Sequence, residues 1–165
     1  MAYTLIASNT TGGSTITFNN IPQTYKDLHL FISGQSDTGT SAAVYLQFND
    51  DAAGYYAYGV YADDTVFVSG YWNNKDIGYI SGTGAGVDRN GQADIYIPEY
   101  SLTNRKKQYQ GISTTGMANT SSNNGRFTLL MQNRYNYTTA ISKITVTLGS
   151  GNFTSKTKIH LFGVS

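Results

Sequence analysis

Apolar and polar side chains alternate every second residue over most of this chain, the period of a strand with one face buried. Asp27 to Ser33 puts Leu28, Leu30 and Ile32 on one face and His29 and Phe31 on the other. The same pattern recurs in Val44-Leu46-Phe48, Ala93-Ile95-Ile97, Phe127-Leu129-Met131, Ile144-Val146-Leu148 and Ile159-Leu161, each interleaved with outward-facing residues. Val66 and Val68 flank Phe67 in a shorter run. Weaker alternation predicts strands at Tyr3 to Ala7, Ser14 to Phe18, Tyr56 to Tyr61 and Gln108 to Thr115. Turn signals separate these runs, among them Thr11-Gly12-Gly13, Asn19-Asn20-Ile21-Pro22, Asn49-Asp50-Asp51, Asp63-Asp64, Asn123-Asn124-Gly125 and Gly149-Ser150-Gly151-Asn152. No segment carries a helical period. About ten strands at short spacing predict an all-β sandwich or barrel, and the even composition predicts one domain over residues 1–165.

Composition sharpens this picture. Charged residues make up 13% of the chain, against about 25% in ordinary domains, and Ser, Thr, Asn, Gly and 14 Tyr take their place. Such a surface suits close contact with proteins or sugars. With no cysteine, the chain has no disulfide, thiol nucleophile or thiolate metal site. Met1 to Ser8 lacks the basic and apolar regions of a signal peptide, so synthesis in a cytoplasm is expected. No run approaches the ~20 apolar residues of a membrane helix. All ten acidic residues lie between Asp27 and Glu99, whereas Ser101 to Ser165 holds eight basic residues and no acid. Pairing of sequential strands predicts that these halves neutralise each other within one subunit. The alternative is an acidic face meeting a basic one on a neighbouring molecule.

Candidate chemistry is sparse. His29 and His160 stand opposite the Leu/Ile faces of their strands with no carboxylate at matched spacing, and are expected to face solvent or a subunit interface. Gly82-Thr83-Gly84-Ala85-Gly86 has Val87 where a dinucleotide loop needs glycine, and is read as a flexible loop. Asp50-Asp51 and Asp63-Asp64 could share a calcium ion but fit ordinary turns better. Glu99, the only glutamate, gives thin support for a glycosidase pair. No catalytic residue, cofactor or metal ligand is therefore assigned, and the chain is not expected to be an enzyme. A short basic run, Arg105-Lys106-Lys107, with a pI near 7.9, does not make a nucleic-acid footprint. The candidate interaction surface is Tyr55, Tyr56, Tyr58, Tyr61, Tyr71 and Trp72, since Tyr and Trp combine contact area with a polar handle. It reads first as an assembly interface, next as core packing through Tyr56 and Tyr58, and last as a glycan site.

Three stretches carry a family resemblance. Ile16-Thr17-Phe18-Asn19-Asn20-Ile21-Pro22-Gln23-Thr24-Tyr25-Lys26-Asp27-Leu28 is the first and Ala93-Asp94-Ile95-Tyr96-Ile97-Pro98-Glu99-Tyr100 the second. The third runs from Gly149-Ser150-Gly151-Asn152-Phe153 to Ile159-His160-Leu161-Phe162-Gly163-Val164. Together they resemble small β-sandwich virion proteins of tailed bacteriophages, of the marine phage and cyanophage type; Tyr55 to Gly86 falls outside the likeness. The resemblance implies an antiparallel, jelly-roll-like sandwich that assembles as a homotrimer within the virion. It implies a capsid decoration or cement protein, partnered by the major capsid protein or other virion proteins, with no nucleic acid and no membrane. The alternative it implies is a tail-fibre or receptor-binding module that contacts host-surface glycans.

Overall fold

A computed structural model describes residues 1–39, 41–62, 67–72, 75–85, 89–115 and 128–165. Twelve strands occur among them: β1 Tyr3–Asn9, β2 Thr15–Phe18, β3 Asp27–Ser36, β4 Ala42–Phe48, β5 Tyr55–Ala62 and β6 Phe67–Trp72. They continue with β7 Asp76–Gly82, β8 Gly91–Ile97, β9 Lys107–Thr114, β10 Thr128–Tyr135, β11 Ile144–Leu148 and β12 Lys158–Val164. The fold is all-β, and its strands form one mixed, open sheet. A long ladder runs β1-β12-β3-β8-β9-β10-β5-β6 and a short one β2-β11-β4-β7, every pair antiparallel. The ladders join where the end of β3 runs parallel to the end of β7, at Gln35 opposite Ser81 and Ser36 opposite Gly82.

Four of the pairings are nested: β1 with β12, β2 with β11, β3 with β8, and β4 with β7. Early and late parts of the chain therefore lie side by side. The alternation read from sequence becomes burial, as β4 shows: Ala42, Val44, Leu46 and Phe48 are inside, and Ala43, Tyr45 and Gln47 are half-exposed. Both ladders feed one hydrophobic cluster, with Phe18, Leu46, Phe48, Ile80 and Val146 from the short ladder meeting Leu30, Ile32, Ile95, Tyr109 and Leu161 from the long one. The stretches that carry the family resemblance seal its ends. Tyr100 donates its hydroxyl to the Pro22 carbonyl, and Asp27 accepts from the Tyr96 hydroxyl (2.5 Å) and the Glu99 amide (2.8 Å). Phe153 bridges Gly13 and Ser36.

The hairpins β5–β6 and β9–β10 lie outside the nested pairs. They extend the long ladder beyond β8 into a four-stranded annex, β9-β10-β5-β6. Strand β7 lies beneath it and is the one strand the alternation did not reveal. Both faces of β7 are mostly covered, so Asp76-Ile77-Gly78-Tyr79-Ile80-Ser81-Gly82 shows no polar side to read. Gly78 has φ +131° and lies against Ser113 of β9, where a Cβ would collide with the serine side chain. This glycine lets β7 approach the annex closely enough for the Tyr79 amide to donate to Ser113 Oγ (3.1 Å). The expected turn at Asn123-Asn124-Gly125, the turn at Asp63-Asp64, and Val66 and Phe127 of the expected strands lie outside the described residues.

Candidate functional site

Strand β5 divides the tyrosine cluster by parity, and in the opposite sense to the core packing considered from sequence. The odd positions turn inward. Tyr55 is buried, its hydroxyl donating to the Phe48 carbonyl (3.3 Å) and accepting from the Phe48 amide (2.7 Å). Burial pushes this phenol well above its usual pKa. Tyr61 is half-buried and packs on a small second cluster of Ala57, Leu129 and Met131. Tyr56 and Tyr58, for which core packing was the alternative to a surface role, turn outward: Tyr56 lies under the Arg134 guanidinium (4.7 Å), and Tyr58 packs against Tyr71 (4.7 Å between centroids). The Trp72 backbone pairs with Ala57, but its side chain lies outside the described part.

On the outer face of the annex, Ile112 and Leu130 join two of the expected tyrosines, Tyr58 and Tyr71, in one row. Registers place Ile112 beside Leu130, Leu130 beside Val60, Gln110 beside Gln132, Gln132 beside Tyr58, and Tyr58 beside Tyr71. Ile112, Leu130, Tyr58 and Tyr71 are 48%, 57%, 53% and 50% exposed, so four large apolar or aromatic side chains share one solvent-facing surface. The signal in sequence was Leu129-Leu130-Met131, three apolar residues running through an alternating strand, one of which must face out.

At the other end of β5 a cleft of about 630 Å³ opens to solvent, lined by Tyr45, Tyr55, Tyr56, Lys75 and the Ala52-Ala53-Gly54 loop. Lys75 Nζ donates to Gln47 Oε1 (2.8 Å) and lies 5.5 Å from the centre of the Tyr55 ring. Burial lowers its pKa.

The other candidates have structural occupations. His29 lies half-buried with Nε2 2.5 Å from Asp94 Oδ1, so a carboxylate does stand beside it, supplied by the neighbouring strand β8. Tyr3 packs edge-on against the same imidazole. His160 is also half-buried and packs near Phe162. Hydrogen bonding to Asp27 pushes the Tyr96 phenol up to about 12. Asp50 pairs with Lys143 (2.7 Å) and Asp51 accepts from the Tyr135 hydroxyl, so both carboxylates of this turn are engaged. Glu99 pairs with Arg105 (2.9 Å) from a backbone at φ +51°. The Asp50–Lys143 pair joins the acidic and basic halves within one subunit, as strand neighbourhood predicts. Thr83–Ala85 forms a short 3-10 turn rather than a free loop, with the Thr83 hydroxyl donating to the Thr38 carbonyl (3.1 Å); Gly86 and Val87 lie outside the described residues. Among the described residues no three His, Asp or Glu side chains gather as a metal site would require, and no helix is long and apolar enough to cross a membrane.

No family model matches the chain, and no curated protein matches it. Among solved structures, an alginate lyase, Aly36B, aligns over 86% of this chain and 70% of its own at 10% identity. Its TM-score of 0.28 is too low for the likeness to bear on fold or activity.

Proposed function

We propose that this chain is a structural protein of a tailed-phage virion, a capsid decoration or cement protein folded as a jelly-roll sandwich. Two observations support that fold. The nested pairs β1:β12, β2:β11, β3:β8 and β4:β7 follow the path of one long hairpin rolled over on itself, and both ladders bury side chains in a shared cluster. Jelly rolls serve in viral capsid and lectin domains, so the fold leaves the function to be argued from surface chemistry.

The observation that carries the functional reading is the exposed row Ile112, Leu130, Tyr58 and Tyr71 on the annex. Contiguous apolar surface of this kind is costly to leave in water and marks protein contact. Aromatic anchors at its centre are what assembly interfaces use. In this reading the annex binds across junctions of the major capsid protein, as a homotrimer assembled after synthesis in the host cytoplasm. Identical sites around a symmetry axis then multiply modest affinity through avidity.

Particles stripped of the protein and refilled with purified protein test this directly. Wild type should restore resistance to heat and low salt and be present in hundreds of copies per particle. A Tyr58→Ala/Tyr71→Ala variant, folded by circular dichroism, should rebind at least about tenfold more weakly. Equal rebinding, or particles equally robust without the protein, would end the cementing idea. A copy number of a dozen or two would favour the second reading, a receptor-binding module for host glycans, which the cleft beside Lys75 supports.

A further inference from the structure

The cleft at the start of β5 has its own lining beside the apolar row, whose nearest members are Tyr58, two residues further along β5, and Tyr71, 6.4 Å from the Tyr56 ring. The position of Lys75 is set at both ends. Its carbonyl accepts the Leu46 amide of β4 (2.9 Å), and its ammonium donates to Gln47 Oε1 of the same strand (2.8 Å). An ammonium has three N–H donors, and Gln47 accounts for one. Partial burial disfavours its charge, which is the direction of its pKa shift. An anion entering the cleft would restore what burial removes.

The walls restrict what that anion is attached to. Tyr45, Tyr55 and Tyr56 line the cleft with flat apolar rings, and since the Tyr55 hydroxyl is held by Phe48, Tyr45 and Tyr56 are the two whose hydroxyls could serve a ligand. The exposed Ala52 and Ala53 leave room in the same lining that larger side chains would fill, and Gly54 turns the loop at φ +85° with the Tyr137 ring where a Cβ would stand. Among the described residues no carboxylate lines the cleft, and the nearby Asp50 and Asp51 are tied to Lys143 and Tyr135. Among the described residues no arginine lines it, Arg134 lying on the Tyr56 ring outside the lining, and no helix of useful length opens onto it, so the usual cradles for phosphate are not seen there. A bare ion would leave the tyrosine faces unused.

We propose that this cleft binds an acidic sugar, a pyranose whose carboxylate meets Lys75 Nζ and whose ring packs on the tyrosine wall. The open mouth admits one unit of a longer polysaccharide. The site does not depend on the capsid reading, because none of the residues lining it belongs to the apolar row.

Calorimetric titration of the intact chain with tri-galacturonate, maltotriose and benzoate tests the site. Tri-galacturonate should bind with a one-to-one isotherm. Lys75→Met should weaken it at least about tenfold, the scale of one charge-assisted hydrogen bond. Ala53→Trp, which fills the cleft from an exposed loop and spares the core, should abolish it. Rebinding to stripped particles should be unchanged in both variants, so failure here and failure of the cementing idea are distinguishable. Equal binding of maltotriose would remove the role of the carboxylate, and equal binding of benzoate would remove the sugar. No binding of tri-galacturonate, or full binding by either variant, would overturn the proposal.

Discussion

The nested pairs and the annex are built from the same kind of strand and serve opposite ends. In the nested region β3 and β4 alternate buried with half-buried residues, so even the outward positions are largely covered. In the annex β9 and β10 alternate buried with fully exposed residues, and what they expose includes Ile112 and Leu130. The first region puts most of its apolar side chains into a shared core, with Tyr3 and Leu5 of the edge strand β1 left exposed, and the second leaves a row of them in water. Fold stability should therefore reside in the nested pairs, and contact with other molecules in the annex.

The largest effect that could break this comparison is a core truncation. Leu161, fully buried in β12 between β1 and β3, should cost about 2–5 kcal/mol on replacement by alanine. In a chain of this size that is a fall in Tm of roughly 4–20 °C. A Leu161→Ala protein melting with wild type would mean that the nested core does not hold the fold.

A second test addresses the seam. Asp76 begins β7 beneath the annex, where its carbonyl accepts from Asn133 Nδ2 (3.4 Å) and its carboxylate accepts the Gly78 amide (2.9 Å). Burial raises its pKa to about 6, above the ordinary carboxylate range. The folded protein thus holds this proton more tightly than the unfolded chain does. Its stabilising contribution is full below pH ~4 and is lost as the pH rises through about 6, a change of up to about 3 kcal/mol. Urea unfolding from pH 4 to 7 should show that decline in wild type and a flatter profile in Asp76→Asn. Matching slopes would show that the seam tolerates the charge.

These two regions were not equally legible. Nested strands such as β2, β4 and β11 announce themselves because their burial alternates, and β11 and β12 coincide with the runs Ile144–Leu148 and Lys158–Val164 read from alternation. Strand β7 was hidden because it is covered on both sides, leaving no polar period, and because Gly78 looks like a loop residue. Parity explains why sequence left Tyr56 and Tyr58 open between surface and core: Tyr55 and Tyr56 are adjacent, and a period of two does not say which faces in without knowing the neighbouring strand. Here β10 decides, by pairing Tyr135 with Tyr55 and Arg134 with Tyr56. Long-range neighbours account for the rest of the site, since Asp94 reaches His29, and Lys75 reaches Gln47, only through strand pairing. The cleft was invisible for the same reason, as its lysine and its tyrosines come from three separate stretches of chain.

The smallest expected effect is the sharpest form of the comparison. Leu130 and Leu161 are both strand leucines, one 57% exposed and the other sealed. Leu130→Ser removes little buried area, so its stability should lie within about 0.5 kcal/mol of wild type. What should change is association: less apolar surface in water means weaker self-association by sedimentation and weaker rebinding to stripped particles. A Leu130→Ser protein that melts as early as Leu161→Ala would make the annex part of the core. One that melts like wild type while losing its contacts would assign this leucine to the assembly.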